Sequence, residues 1–164
     1  MVKLDWLTEV KGKSRTLTGG WAILYSSAAV FMAVWYMYTS GFGIVSTETN
    51  RGFYLLFTSV LVYLLFPASR WAPKHRPSVY DVLCVVLISV SIGYWIDQYM
   101  DYAMFRVTEP SNWDLIMGVI AIFMILETAR RALGPIMMIL ALIFIGQIYF
   151  GPHLPGKLSH AGMP

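Results

Sequence analysis

Charge is scarce in this sequence. Asp, Glu, Lys and Arg make up 13% of its 164 residues, about half of the ~25% usual for a soluble domain. Apolar residues make up 57%, more than so short a chain can hide from water, because surface grows quickly relative to volume in small domains. Lipid as the solvent removes that conflict. Cysteine is almost absent too. The single thiol, Cys84, excludes an internal disulfide and any CxxC pair for metal or redox work, and it reads as a small buried hydrophobe. The net charge of +3 comes without a basic run, so nothing in the chain outlines a nucleic-acid footprint.

Catalytic patterns are missing as well. The histidines His75, His153 and His160 all lie outside the hydrophobic segments, whereas a membrane b-type cytochrome needs axial histidines inside its helices. No HExxH, P-loop, GxSxG or EF-hand pattern occurs. Ser26 and Ser27 have no histidine partner and read as bonding back to helix carbonyls or packing on a neighbour. The expectation is a protein that is not an enzyme and uses no cofactor and no metal.

What the sequence does hold is five hydrophobic segments, roughly Leu17–Tyr38, Gly52–Phe66, Val79–Tyr99, Trp113–Leu126 and Ile136–Phe150. The first and third meet the ~20 residues needed to cross a bilayer. The others reach that length only with polar flanks such as Thr49–Arg51 and Glu127–Arg131, and short segments of that kind compete with interfacial placement. The run from Trp21 to Tyr38 is too long for a signal-peptide core, and no A-x-A-like site follows it. The expected fold is an all-α membrane protein of about five transmembrane helices, at 17–38, 52–66, 79–99, 113–131 and 134–150. A cytoplasmic segment at 1–16 and a periplasmic loop or tail at 151–164 would flank them.

Loop charges orient that bundle. With the amino end cytoplasmic, Lys3, Lys11, Lys13, Arg15, Arg70, Lys74, Arg76, Arg130 and Arg131 fall inside, and only Arg51, Arg106 and Lys157 fall outside. Cytoplasmic loops are expected to be enriched in this way. Glu48, Asp97, Asp101, Glu109 and Asp114 fall outside. Aromatic residues mark the expected interfaces, with Trp35, Tyr36, Tyr38, Tyr94, Trp95, Tyr99, Trp113, Tyr149 and Phe150 outside and Trp71 and Tyr80 inside.

Helix starts are also written locally. Ser78-Val79-Tyr80-Asp81 and Ser111-Asn112-Trp113-Asp114 each place an acid three residues after a hydroxyl, the pattern of a capping box. Ser78, Asp81, Ser111 and Asp114 are therefore expected as helix caps rather than ion ligands. Gly134-Pro135 breaks the chain into a tight hairpin.

Candidate contacts with partners or lipid are few. Asp97 and Asp101, at i and i+4, read as a solvated helix end that could also bind a cation or face a basic partner. Glu127, Arg130 and Arg131 stand at i, i+3 and i+4, which permits pairing on one helix face. Their expected role is orienting the helix 4–5 hairpin, with docking of a second membrane protein or an anionic lipid as the sharper alternative. Small residues such as Ala28, Ala29, Ala33 and Gly118 are expected at helix contacts.

Several motifs in fixed order resemble a known family. They are Tyr38-Thr39-Ser40-Gly41-Phe42-Gly43, Leu65-Phe66-Pro67, Arg76-Pro77-Ser78 with Asp81, Glu127-Thr128-Ala129-Arg130-Arg131 with Gly134, and Phe150-Gly151-Pro152-His153-Leu154-Pro155-Gly156 followed by His160. Together they span about residues 17–160 and resemble the amino-terminal part of the fused permease of tripartite ATP-independent periplasmic (TRAP) transporters, particularly the TAXI type. The resemblance implies a four-helix small-subunit scaffold plus one linking helix, in the cytoplasmic membrane of a bacterium or archaeon. It also implies a large multi-helix permease subunit and a periplasmic solute-binding protein as partners, with membrane lipid around them. The solute would be a small organic acid or similar compound. The chain would be a separately encoded small subunit or part of a longer permease, and either way the transport site lies off this chain. The competing expectation is a membrane sensor or assembly protein without transport activity.

Overall fold

The computed structural model describes residues 14–43, 45–69 and 72–150. The expected tail at 151–164, most of the segment at 1–16, and Arg70 and Trp71 lie outside these described residues. Five α-helices and no strand are found among them: α1 (Gly20–Phe42), α2 (Thr47–Leu65), α3 (Val79–Asp101), α4 (Asn112–Leu133) and α5 (Pro135–Phe150). A π-helical turn, Tyr102–Arg106, continues α3.

The helices are longer than their apolar runs. α2 begins at Thr47 rather than at Gly52, because Ser46 caps it by accepting the Thr49 backbone N–H at 3.3 Å, with Glu48 in the first turn favourable to the helix dipole. α4 extends through Arg130 and Arg131 to Leu133. At 1.5 Å per residue its 22 residues reach about 33 Å, comparable with the ~30 Å hydrocarbon layer. The 16 residues of α5 reach only about 24 Å. Two helices, α1 and α3 with its π-helical extension, are both long and apolar enough to cross a membrane.

The core is a three-helix unit. α2 packs on α3, α3 on α4, and α2 also touches α4. Tyr63, Cys84, Ile88 and Ile92 are buried at its centre, with Val60, Ala121 and Met124 among the residues packed around them. The tightest approach is at Gly52, where a Cβ would sit 2.6 Å from Cγ1 of Ile96. Any side chain there would force Ile96 to shift.

The outer helices flank this core. α1 lies against α2 through an aromatic seam in which Trp35–Phe53 and Phe31–Phe57 ring centroids are 5.2 and 5.4 Å apart. Tyr36 donates its hydroxyl to the Asn50 carbonyl at 2.8 Å. α5 folds back on α4 after Gly134, whose φ of 92° lies in a region that favours glycine. α5 buries none of its residues and α1 buries only Thr39. A helix that is apolar all round and exposed belongs in lipid or against another protein.

Candidate functional site: a buried charge knot at one end of the bundle

Two helix ends of opposite polarity meet at one end of the core. The carboxyl end of α2 presents carbonyls that the helix itself cannot satisfy, and its last turn holds no basic residue. The amino end of α3 presents free N–H groups and a positive dipole end. The side chains that complete these two ends come from elsewhere in the chain, and they converge on Asp81.

Asp81 sits in the first turn of α3 and is wholly buried. Its carboxylate completes the capping box by accepting the Ser78 N–H at 2.7 Å, and Ser78 Oγ accepts the Tyr80 N–H at 3.2 Å. Asp81 also does something its capping pattern does not announce. Oδ2 pairs with Nη2 of Arg15 at 2.6 Å, and Oδ1 pairs with Nη1 of Arg131 at 2.6 Å. All three side chains are fully shielded.

Both arginines also donate to backbone carbonyls. Arg15 donates from Nε to Pro73 at 3.0 Å and from Nη1 toward Tyr63 and Leu64 at 3.4 Å, and its backbone N–H reaches Leu65 at 2.8 Å. Arg131 donates to the Phe66 carbonyl at 3.2 Å. The last turn of α2 is thus capped by an arginine that precedes α1 and one that ends α4. Cations there also complement the negative end of the α2 dipole.

Glu127 carries the knot toward the surface. Its Oε1 accepts from Nε of Arg131 at 2.8 Å, and its two oxygens accept from Nε and Nη2 of Arg130 at 2.7 and 2.8 Å. The two-point pairing with Arg130 is the fork geometry that makes arginine–carboxylate bonds strong. Arg130 also donates to the Ala68 carbonyl at 3.0 Å and stays about one-third exposed. Tyr63 and Tyr80 stack on the Arg131 guanidinium at 4.7 and 5.4 Å from their ring centres. The knot joins the segment before α1, the α2–α3 connection, α3 and α4 into one rigid end.

A smaller polar cluster occupies the other end of the core. Asp114, in the first turn of α4, accepts the Ser111 N–H at 2.8 Å and the Tyr94 hydroxyl at 2.7 Å. Arg106, on the π-helical turn, approaches Asp114 at 3.4 Å and donates to Oε1 of Gln98 at 2.7 Å. Asp97 and Asp101 are exposed on the last turns of α3, where Asp97 accepts from Gln98 at 2.8 Å. The structure does not bring that pair into either buried cluster.

The residues singled out by sequence therefore divide. Ser78, Asp81, Glu127, Arg130 and Arg131 assemble in one place, Ser111 and Asp114 in another, and Asp97 and Asp101 stay at the surface. Arg15, Tyr63 and the Tyr94–Arg106 pair escaped sequence reasoning. A lone acid at the start of a long apolar helix was the available signal, since a charge that becomes buried there requires a counter-charge. No group of three or more metal-binding side chains occurs among the described residues. Comparisons with protein-family models, with curated proteins and with solved structures find no match.

Proposed function

We propose that this chain is the small membrane subunit of a binding-protein-dependent secondary transporter of the TRAP kind. It would be a scaffold that holds the large permease subunit while the solute passes elsewhere. The observation that carries this reading is where the charge sits. Trp21–Ser40, Gly52–Leu65, Val82–Ile96, Leu115–Leu126 and all of α5 contain no Asp, Glu, Lys, Arg or His. An ion-coupled path for a polar solute is usually marked by charged side chains within the helices, and these helices offer none at mid-depth. What the chain offers instead is rigidity at one end and uncovered apolar helices at both sides.

The same distribution supports five membrane passes with the amino end cytoplasmic. Among the described residues, Arg15, Lys74, Arg76, Arg130 and Arg131 lie at the knot end, against Arg51 and Arg106 at the other, the excess of basic residues expected on a cytoplasmic side. Asp81 and Asp97 are 16 residues apart on α3, about 24 Å along its axis. That spacing lets both charged ends sit near the boundaries of the hydrocarbon layer. In this arrangement the knot is cytoplasmic, and Asp97 and Asp101 face the side from which a solute-binding protein approaches.

The test is purification of the tagged chain from its native membrane in mild detergent. The expected product is an equimolar complex with one multi-helix permease, identified by mass spectrometry, that captures a periplasmic solute-binding protein when one is added. A monodisperse chain that carries no such subunit contradicts the proposal.

A further inference from the structure

A cavity of about 280 Å³ opens at the end of the bundle away from the knot, between the last turns of α3, the π-helical turn and the first turns of α4. Four aromatic residues line it, Tyr94, Trp95, Tyr99 and Tyr102, and Asp114 contributes the charged group. The volume falls at the small end of ligand pockets, suited to a headgroup rather than an extended molecule. Gly118 also lines it, and the missing side chain leaves the space open on the α4 side.

Asp114 accepts the Ser111 N–H at 2.8 Å and the Tyr94 hydroxyl at 2.7 Å, but among the described residues only Arg106 answers it with a full opposite charge. Its side chain is 7% exposed, and its ion pair with Arg106 is 3.4 Å long, against 2.6–2.8 Å for the pairs in the knot. A nearly buried carboxylate with a distant counter-ion favours a second cation nearby. Aromatic walls narrow the chemistry further. A primary ammonium brings three N–H donors that each need an acceptor, whereas the cavity wall is mostly ring and alkyl surface. A methylated ammonium has no such demand, and its methyl groups gain from contact with ring faces that attract positive charge.

We propose that this cavity binds a trimethylated ammonium group, held by the rings of Trp95, Tyr99 and Tyr102 with the Asp114 carboxylate as counter-ion. Two molecules carry that group to such a position: the headgroup of a choline lipid, and a free betaine-like solute. The site does not depend on the transporter reading, because it uses only side chains of this chain.

The experiment uses the full chain in nanodiscs of phosphatidylglycerol, with saturation-transfer NMR of tetramethylammonium and of neopentyl alcohol, its neutral counterpart in shape. The expected result is saturable binding of tetramethylammonium alone. Tyr99→Leu, which leaves the helix caps intact, should weaken it by about fivefold or more, the scale of one lost cation–ring contact. Asp114→Asn should weaken it by about tenfold, judged on protein whose helix content matches the wild type. Competition by phosphatidylcholine in the disc identifies the lipid as the source, and competition by free betaine alone identifies the solute. Equal binding of neopentyl alcohol marks an apolar crevice for acyl chains and overturns the proposal. So does an absence of saturable binding, or a Tyr99→Leu variant that binds as the wild type does.

Discussion

Replacing Asp81 by Asn should be among the most damaging single changes in this chain, although it alters only one functional group. The amide keeps an oxygen that can accept the Ser78 N–H, and the charge lost from the first turn of α3 is worth only about 0.3–1 kcal/mol against the helix dipole. The capping loss is therefore small. What disappears is the counter-charge for two guanidinium groups that are both 0% exposed and both 2.6 Å from the carboxylate. Removing one partner of a buried ion pair costs about 3–5 kcal/mol, because the remaining charge stays buried and unanswered. Glu127 still pairs with Arg131 at 2.8 Å and softens the loss on that side, whereas Arg15 keeps only carbonyl partners. The expected cost is about 3 kcal/mol, a fall of roughly 100-fold in the folding constant. Reversible unfolding in mixed detergent micelles, followed by circular dichroism, measures it. Pairing Asp81→Asn with Arg15→Met in a double-mutant cycle isolates the contact, since removing both charges leaves fewer orphans and should cost less than the two single changes added together. An Asp81→Asn protein within about 0.5 kcal/mol of wild type would refute the reasoning, because a surface-like environment is the only one that tolerates the change so cheaply.

Other consequences are more local. Gly52→Ala should destabilise the α2–α3 packing by about 1–3 kcal/mol, the usual range for overpacking, and Ile96→Ala in the same background should recover part of it by deleting the atoms 2.6 and 2.9 Å from the new Cβ; thermal unfolding in detergent reads both. Tyr63→Phe removes a buried hydroxyl that donates to the Met124 carbonyl at 2.6 Å. Thr128 also donates to that carbonyl at 2.9 Å, so the loss should stay near 0.5–1.5 kcal/mol, about one hydrogen bond, and a larger loss measured by unfolding would contradict this account of the carbonyl. On the transporter reading, Asp97→Asn with Asp101→Asn should lower uptake at limiting binding protein and leave the coupling-ion requirement unchanged; uptake into proteoliposomes at varied binding-protein concentration separates the two.

The helices were legible in the sequence because long apolar runs need no partner to be recognised. Their ends were less so. The polar turn Thr47–Arg51 belongs to α2 through a serine cap, and Arg130 and Arg131 belong to α4 because Glu127 and Asp81 hold them. Within one helix, pairing at i+3 and i+4 is visible in the spacing of Glu127, Arg130 and Arg131. Between helices no spacing exists to read. Arg15 and Arg131 lie 66 and 50 residues from Asp81, so only the folded chain reveals that one capping aspartate closes both. The aromatic cavity hid for the same reason. Three of its four rings, Tyr94, Trp95 and Tyr99, read from sequence as an interfacial belt, and they acquire a carboxylate only when α4 returns beside α3.

Both α1 and α5 are apolar and uncovered, so what touches them in the native membrane tests the scaffold reading most directly. A photoreactive amino acid at Val30 on α1 or Ile143 on α5, positions 63% and 60% exposed, would be activated in intact cells and its adducts identified by mass spectrometry. The account predicts a protein adduct at one or both positions, with the adduct peptide coming from a helix of a large multi-helix permease. Adducts with lipid alone at both positions would contradict it.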